Sequence, residues 1–133
     1  MLTRTSLLRI ALVALGAVMI LLYPLAVVWP SGWAWHMGMP YESDYFMMIV
    51  GVYATLGAFL IYAARDPDAN RSLIWFTVVS SLVHGVIMGI QSFGTANGMS
   101  NMGHLAGDVP ALLLVAVVLS LLMWMPEKSA RTA

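Results

Sequence analysis

The sequence predicts an all-α integral membrane protein, a four-helix bundle of antiparallel spans that run up and down. Three observations support this fold class. The chain is 61% hydrophobic and only 9% charged, whereas soluble domains carry about 25% charged residues. Four long apolar runs alternate with short polar connections. The basic residues occur only in every second connection and near the two termini, as the positive-inside rule requires of a multi-pass chain.

The apolar runs define the spans, because a helix needs about 20 mostly apolar residues to cross the hydrocarbon core of a bilayer. We expect helices over about 7–29, 45–64, 72–93 and 108–126, in a single transmembrane domain, 1–133. The first run exceeds the ~7–15 apolar residues of a signal peptide, and Tyr23-Pro24-Leu25 is not a small-residue cleavage site. We therefore expect a retained helix, kinked where Pro24 leaves the Ile20 carbonyl without a donor.

The distribution of charge predicts the orientation. All basic residues fall on one side of a four-pass arrangement: Arg4, Arg9, Arg65, Arg71, Lys128 and Arg131. Both termini and the 65–71 connection are then cytoplasmic, and the connections 30–44 and 94–108 face outward. The net charge is zero, so no nucleic-acid partner is expected. Membrane lipid is the expected environment, with a homo-oligomer or a larger membrane complex as the expected assembly.

Local signals predict how the helices begin and pack. Ser43 or Asp44 can cap the second helix, Asn70 or Ser72 the third, and Asp108 the fourth, with Pro110 in its first turn. The brief connection "RDPDANRS" predicts a tight hairpin of the second and third helices. Two stripes are expected to face the bundle interior. The first comprises Asp44, Met47, Met48, Gly51, Thr55, Ala58 and Tyr62, and the second comprises Thr77, Ser80, Ser81, His84, Met88 and Gln91.

His84 is the sharpest functional candidate, because an ionisable residue inside a span is costly and marks a functional hypothesis by default. The alternative is a neutral imidazole that bonds to Thr55, Ser80 or a backbone carbonyl. The outer connections add further potential ligands, and His104 and Asp108 share a helical face at i, i+4. The predicted metal ligands are His84, His104, His36, Asp108, Glu42 and Asp44.

Nitrogen and oxygen ligands of this kind suit zinc, copper, iron or manganese, with copper or zinc expected here, and the methionines of "HMGM" and "MSNMGH" are a ligand type for Cu(I). A small cofactor would contact Gln91, Met88 and Trp35 as well. The competing interpretation has the acids as caps and the outer histidines as exposed loop residues. There is no cysteine, which excludes disulfides and thiolate metal sites. No phosphate-binding loop or nucleophile elbow occurs, so enzymatic activity is not predicted.

Four segments resemble a group of small bacterial four-helix membrane proteins of unknown function. They are "SGWAWH", "MIVGVYATLGAFLIYAARDP", "SLIWFTVVSSLVHGVIMGIQ" and "GHLAGDVPALLL", which together cover most of residues 31–115. The resemblance implies a bacterial inner-membrane protein with both termini inside, and it implies no activity. Three functions stay open on the sequence: a metal or cofactor-binding protein, an accessory subunit of a membrane complex, and a proton- or cation-coupled transporter.

Overall fold

A computed structural model describes residues 3–33, 39–96, 99–100 and 102–126. These residues are predominantly helical. The α-helices are α1 (Arg4–Ile20), α2 (Leu22–Val28), α3 (Asp44–Ala63), α4 (Arg71–Gln91) and α5 (Asp108–Trp124). Short 3₁₀ segments occupy Pro30–Trp33, Pro40–Glu42 and Met102–Leu105. The two-residue strands β1 (Thr95–Ala96) and β2 (Met99–Ser100) pair antiparallel in the connection between α4 and α5.

Length and hydropathy make several helices candidate membrane spans. Among the described residues, α3, α4 and the segment Met102–Trp124 are each long and apolar enough to cross a bilayer. Helices α1 and α2 meet the same criterion only together, and a bend of 61° separates them. The predicted all-helical, apolar architecture is therefore confirmed. Three of the predicted spans are continuous helices, and the first is broken.

Pro24 explains the break in the first predicted span. A proline has no backbone N–H, so the carbonyl of Ile20, four residues earlier, loses its helical donor. Helix α1 ends at Ile20, and Leu21 adopts a non-helical ψ of 11° before α2 begins. The backbone N–H of Leu21 still bonds to the Ala17 carbonyl at 3.0 Å. The predicted kink is therefore present, at Leu21, three residues before Pro24.

Helix packing differs from the predicted hairpin. The most extensive contacts join α1 to α3 and α4 to α5, whereas α3 and α4 touch each other little. The prediction of a tight hairpin of the second and third helices was therefore wrong. A short connection keeps two helix ends close together but does not determine which faces come into contact.

Two glycines explain why α1 and α3 form a close pair. A Cβ atom built on Gly57 would lie only 2.5 Å from the backbone oxygen of Gly16, and one built on Gly16 would lie 2.6 Å from the oxygen of Gly57. The two backbones approach closely because neither residue has a side chain, as is common between membrane helices. By contrast, a Cβ on Gly51 would meet nothing within 4 Å.

The first predicted interior stripe was wrong, and the second was largely right. On α3, all seven predicted interior residues are exposed, and Met48 is 62% exposed. The face that is buried contains Phe46, Gly57, Leu60 and Ala63 instead. On α4, Thr77 and Ser81 are buried, and Gln91 at the far end is exposed. The polar residues of α4 signalled its interior face, whereas the small residues of α3 were present on two faces.

The helix caps agree with the prediction at one helix of three. The Ser43 hydroxyl accepts from the Phe46 N–H at 3.2 Å and caps α3. Asn70 occupies the N-cap position of α4, but its side-chain amide donates to the Asp66 carbonyl instead. Asp108 does not cap α5, because Gly107 holds the N-cap position and Asp108 is the first helical residue. Its carboxylate has a different partner, described below.

The described arginines gather at one end of the molecule. Arg4 donates to the Leu122 carbonyl at 2.9 Å, which joins the start of α1 to the end of α5. Asp68 lies 3.8 Å from Arg4 and 3.5 Å from Arg71. Arg9 donates to the carbonyl of Arg65 at 3.2 Å. We call this the arginine end, and the apolar core lies next to it, around Leu8, Leu12, Leu60, Ile74 and Leu119.

The glycine contact gives a prediction with a matched control. Gly57→Ala places a methyl group against the Gly16 backbone, and such overpacking costs about 1–3 kcal/mol of stability. In the isolated chain Gly51→Ala lies on the same helix in open space, so for the monomer in micelles it should be neutral or slightly stabilising, because alanine favours helix more than glycine does. Unfolding of the two variants in mixed detergent micelles measures the difference. Equal stabilities would contradict the close packing of α1 on α3.

Candidate functional site

His84 forms a hydrogen bond with a tyrosine on a neighbouring helix. The Tyr53 hydroxyl on α3 lies 2.5 Å from Nδ1 of His84 on α4, and the two ring centroids are 5.9 Å apart. Both side chains are half-buried. Thr55 and Ser80, the partners expected from the sequence, bond to the backbone instead, at the Gly51 and Thr77 carbonyls. The Tyr53–His84 contact therefore links two helices that otherwise touch little.

His104 and Asp108 form the second polar pair. His104 lies in the 3₁₀ segment Met102–Leu105, and its Nδ1 is 2.7 Å from Oδ2 of Asp108 at the start of α5. Their side chains are 14% and 12% exposed, so the pair is largely shielded from water. The i, i+4 spacing brings the two side chains onto one face, as the sequence predicted. A carboxylate this buried is costly unless it is paired, and the imidazole provides the partner.

The two pairs lie close enough to form one electrostatic unit, which we call the His–Asp cluster (Tyr53, His84, His104 and Asp108). Asp108 lies within electrostatic range of both Tyr53 and His84, and His104 lies within the same range of His84. Three separate parts of the chain thus converge: α3, α4, and the 3₁₀ segment that leads into α5. The cluster lies away from the arginine end, because Asp108 and Leu122 are at opposite ends of α5.

The cluster has unused hydrogen-bonding capacity. The Oδ1 atom of Asp108 is buried without a hydrogen-bond partner among the described residues. Each imidazole uses Nδ1 in its bond, and within the same residues Nε2 of His84 and Nε2 of His104 make no hydrogen bond. A buried acceptor without a partner costs about 1–3 kcal/mol. These three atoms are therefore the ones through which the cluster can bind a proton, water or a cation.

The other predicted site residues lie apart from the cluster or outside the described residues. Trp35 and His36 fall among the residues that the structure does not describe. Glu42 is exposed and accepts from the Met39 N–H at 3.1 Å, and Asp44 is exposed in the first turn of α3.

Met88 is half-buried one turn beyond His84, whereas Gln91 is exposed at the end of α4. Of the six predicted metal ligands, the structure brings His84, His104 and Asp108 together.

The metal hypothesis gains no support from this geometry. Within the described ranges, no group of three or more histidine, cysteine or acidic side chains is arranged to hold a metal ion. A zinc or copper site built on this cluster would need His36 or another ligand from outside these ranges. The binding of zinc or copper by the predicted ligands therefore remains a prediction.

Sequence reasoning missed Tyr53, although a signal for it exists. Phe46, Tyr53, Gly57 and Leu60 are separated by seven, four and three residues, which is the spacing of one helical face. That face is the one α3 turns inward, with Phe46, Gly57 and Leu60 buried and Tyr53 partly buried. A tyrosine on an interior face usually finds a hydrogen-bond partner for its hydroxyl. A search for this partner would have pointed to His84.

A double-mutant cycle tests the buried pair. His104→Ala leaves the Asp108 carboxylate buried without its hydrogen bond, and we expect a loss of about 2 kcal/mol, as is usual for bonds to charged groups. In an Asp108→Asn background the same substitution should cost less than half as much, because no charge is left unpaired. Unfolding in mixed micelles measures all four proteins, with exposed Asp44→Asn as the control. Additive losses would show that the pair does not form.

Comparison with known proteins places the chain in a family. A model of a family of unknown function (DUF6632) matches residues 2–129. No curated protein and no solved structure matches the chain. The family match agrees with the resemblance to small proteins of unknown function. Because it spans nearly the whole sequence, the chain belongs to the DUF6632 family of unknown function.

Proposed function

We propose that this chain is an integral protein of the bacterial inner membrane that crosses the bilayer four times, with both termini in the cytoplasm. Three apolar helices of spanning length and the bent α1–α2 pair support four crossings. The contacts of Arg4, Arg9, Arg65 and Arg71 support one basic end. The connections at the other end contain no lysine or arginine, which supports an orientation with that end outside the cytoplasm.

The function that the cluster supports best is the binding and movement of protons within the membrane. The observation that carries this proposal is the convergence of Tyr53–His84 and His104–Asp108 among apolar helices. Histidine exchanges protons near neutral pH, and chains of acidic and histidine side chains inside spans are typical proton relays. A proton that enters from the outer face would bind at a free imidazole nitrogen or at the unpaired oxygen of Asp108.

Polar groups continue from the cluster along α4 towards the arginine end. Ser80 and Ser81 lie one turn from His84, and Thr77 lies about 10 Å from it along the helix axis. Ser81 and Thr77 are buried, and Ser80 is half-buried. The Thr77 and Ser80 hydroxyls donate to backbone carbonyls at 2.9 and 3.3 Å, so the lone pairs of each can still accept a hydrogen bond from a water that carries the proton. The hydroxyl groups of Thr77, Ser80 and Ser81 form the proposed path of the proton beyond His84.

A second candidate function is metal binding, which the donor chemistry of the cluster supports although its described residues do not assemble a metal site. The orphaned Oδ1 of Asp108 and the two free Nε2 atoms are the kind of donors that zinc or copper takes. In this alternative, His36 of the outer connection completes the ligand set. A resident metal would act as a Lewis acid or redox centre at the outer face, and Tyr53 would orient His84 through the Nδ1 bond.

The proposed assembly is a homo-oligomer or a larger membrane complex. The exposed face of α3, which includes Met48, Gly51, Thr55 and Tyr62, supports a helix–helix contact with another chain. Gly51 and Thr55 are small residues of the type found where membrane helices pack. In this role the chain would be an accessory subunit, and its polar cluster would stabilise the fold.

Reporter fusions test the orientation. A phosphatase reporter, active only in the periplasm, should be inactive when fused after Ala133 and active when fused after Gly94, in the connection that lacks basic residues. A fluorescent protein that matures only in the cytoplasm should give the opposite pattern at the same two positions. Phosphatase activity at Ala133 would overturn the proposed topology.

Proton flux tests the proposed activity. We expect the purified chain, reconstituted in liposomes with a trapped pH dye and a potassium–valinomycin clamp, to pass protons faster than protein-free liposomes do. His84→Ala and Asp108→Asn should each lower the flux at least tenfold, because a positioned acid–base group contributes about 10²–10⁴-fold to proton transfer. Asp44→Asn removes an exposed acid from the same end of the molecule and should leave the flux unchanged.

The same preparation separates the two candidate functions. Absence of flux, or an equal flux in all variants, would contradict proton movement. Elemental analysis would then favour the second candidate if it found about one zinc or copper per chain that is lost in both His84→Ala and His104→Ala. A metal content that neither substitution changes would contradict the metal site.

A further inference from the structure

The contact between α1 and α3 leaves an open apolar groove beside the arginine end. Its volume is about 540 Å³, and its walls are formed by Ile10, Val13, Ala14 and Ile61. Arg9 and Arg65 also line the groove, where it meets the arginine end of the molecule. Ile61 also lies against Gly16, so one end of the groove adjoins the close contact of the two helices. The groove therefore combines a hydrocarbon surface with two guanidinium groups.

Arg9 and Arg65 differ from the other described arginines in having no acidic partner. Arg4 and Arg71 both lie within 4 Å of the Asp68 carboxylate. Arg9 instead donates to the backbone carbonyl of Arg65 at 3.2 Å. The Arg65 guanidinium lies over the Tyr62 ring, 5.4 Å from its centroid. Both arginines are exposed and line the groove, and neither has a carboxylate within 4.0 Å among the described residues.

We infer that this groove binds one anionic phospholipid, whose phosphate lies between Arg9 and Arg65 and whose acyl chain lies along Ile10, Val13 and Ala14. Guanidinium groups form strong, often bidentate hydrogen bonds with phosphate. The inference rests on the membrane crossing proposed above, and it does not depend on proton movement at the other end of the molecule.

The dimensions and chemistry of the groove favour a lipid over a free anion. Arg9 and Ala14 are about 7.5 Å apart along α1, which matches the first part of an acyl chain, with the remainder in bulk lipid. A free phosphate would use only the arginines and would leave Val13 and Ile61 without contacts. A zwitterionic lipid carries its own cation beside the phosphate, so it offsets less of the positive charge at the groove than an anionic lipid does. Basic residues at the cytoplasmic surface attract anionic lipids in the same way.

Native mass spectrometry of the full chain in detergent tests the inference. Titration with phosphatidylglycerol should give one tightly retained lipid per chain, and phosphatidylcholine with the same acyl chains should bind at least tenfold more weakly. Arg9→Gln combined with Arg65→Gln should weaken phosphatidylglycerol binding by about 25-fold, the effect of two interfacial basic residues. Arg71→Gln is the matched control at the same end, and it should leave the affinity unchanged because Arg71 is paired with Asp68.

A second variant keeps the test valid if the double substitution disturbs folding. Ala14→Leu keeps both arginines but fills the groove, and it should weaken phosphatidylglycerol binding at least fivefold without changing the unfolding midpoint of the lipid-free protein. Equal binding by wild type, the arginine variant and Ala14→Leu would overturn the inference. Displacement of the lipid by millimolar inorganic phosphate would also overturn it, because the apolar walls would then contribute nothing.

Discussion

A carboxylate inside an almost uncharged helical chain imposes the central constraint on this structure. As a whole residue Asp108 is only 9% exposed, and it lies on the face of α5 that continues with the buried residues Val109, Leu112 and Val115. Such a group is tolerated only with a hydrogen-bonded partner. His104 provides that partner from the preceding turn, and the 3₁₀ segment Met102–Leu105 extends the helical path so that the imidazole can reach it. The charge then acts on His84 and Tyr53, which makes the local pair the centre of a larger cluster.

The molecule separates this polar constraint from its main apolar packing. The core residues concentrate near the arginine end, with Leu8 at the start of α1 and Met123 at the end of α5. The cluster lies at the other end, where α3 and α4 are joined by the Tyr53–His84 bond and have few other contacts. A site with few surrounding contacts can change its protonation or its ligand at small cost to the rest of the fold. The apolar core next to the arginine end holds the helices together during such a change.

The sequence predicted the helices well and their packing poorly. Apolar run length is a local property, so the starts of α3 and α4 were predicted to within one residue, at 45 against Asp44 and 72 against Arg71. Which face turns inward depends on partners that are distant in sequence. A helix that is apolar enough to cross a membrane has hydrophobic residues all round, and α3 carries small residues both at Gly51 and at Gly57. Only Gly57 has a partner glycine opposite it.

The same distinction between local and distant partners governs the candidate site. His104 and Asp108 are four residues apart, so helical spacing predicted that they share a face. The structure shows the hydrogen bond between them. Tyr53 and His84 are separated by 31 positions, and no local rule links them. Glu42 and Asp44 are acids like Asp108, but both are exposed, and Glu42 accepts from the Met39 N–H. Burial, rather than residue type, distinguishes the acid that needs a histidine from the two that do not.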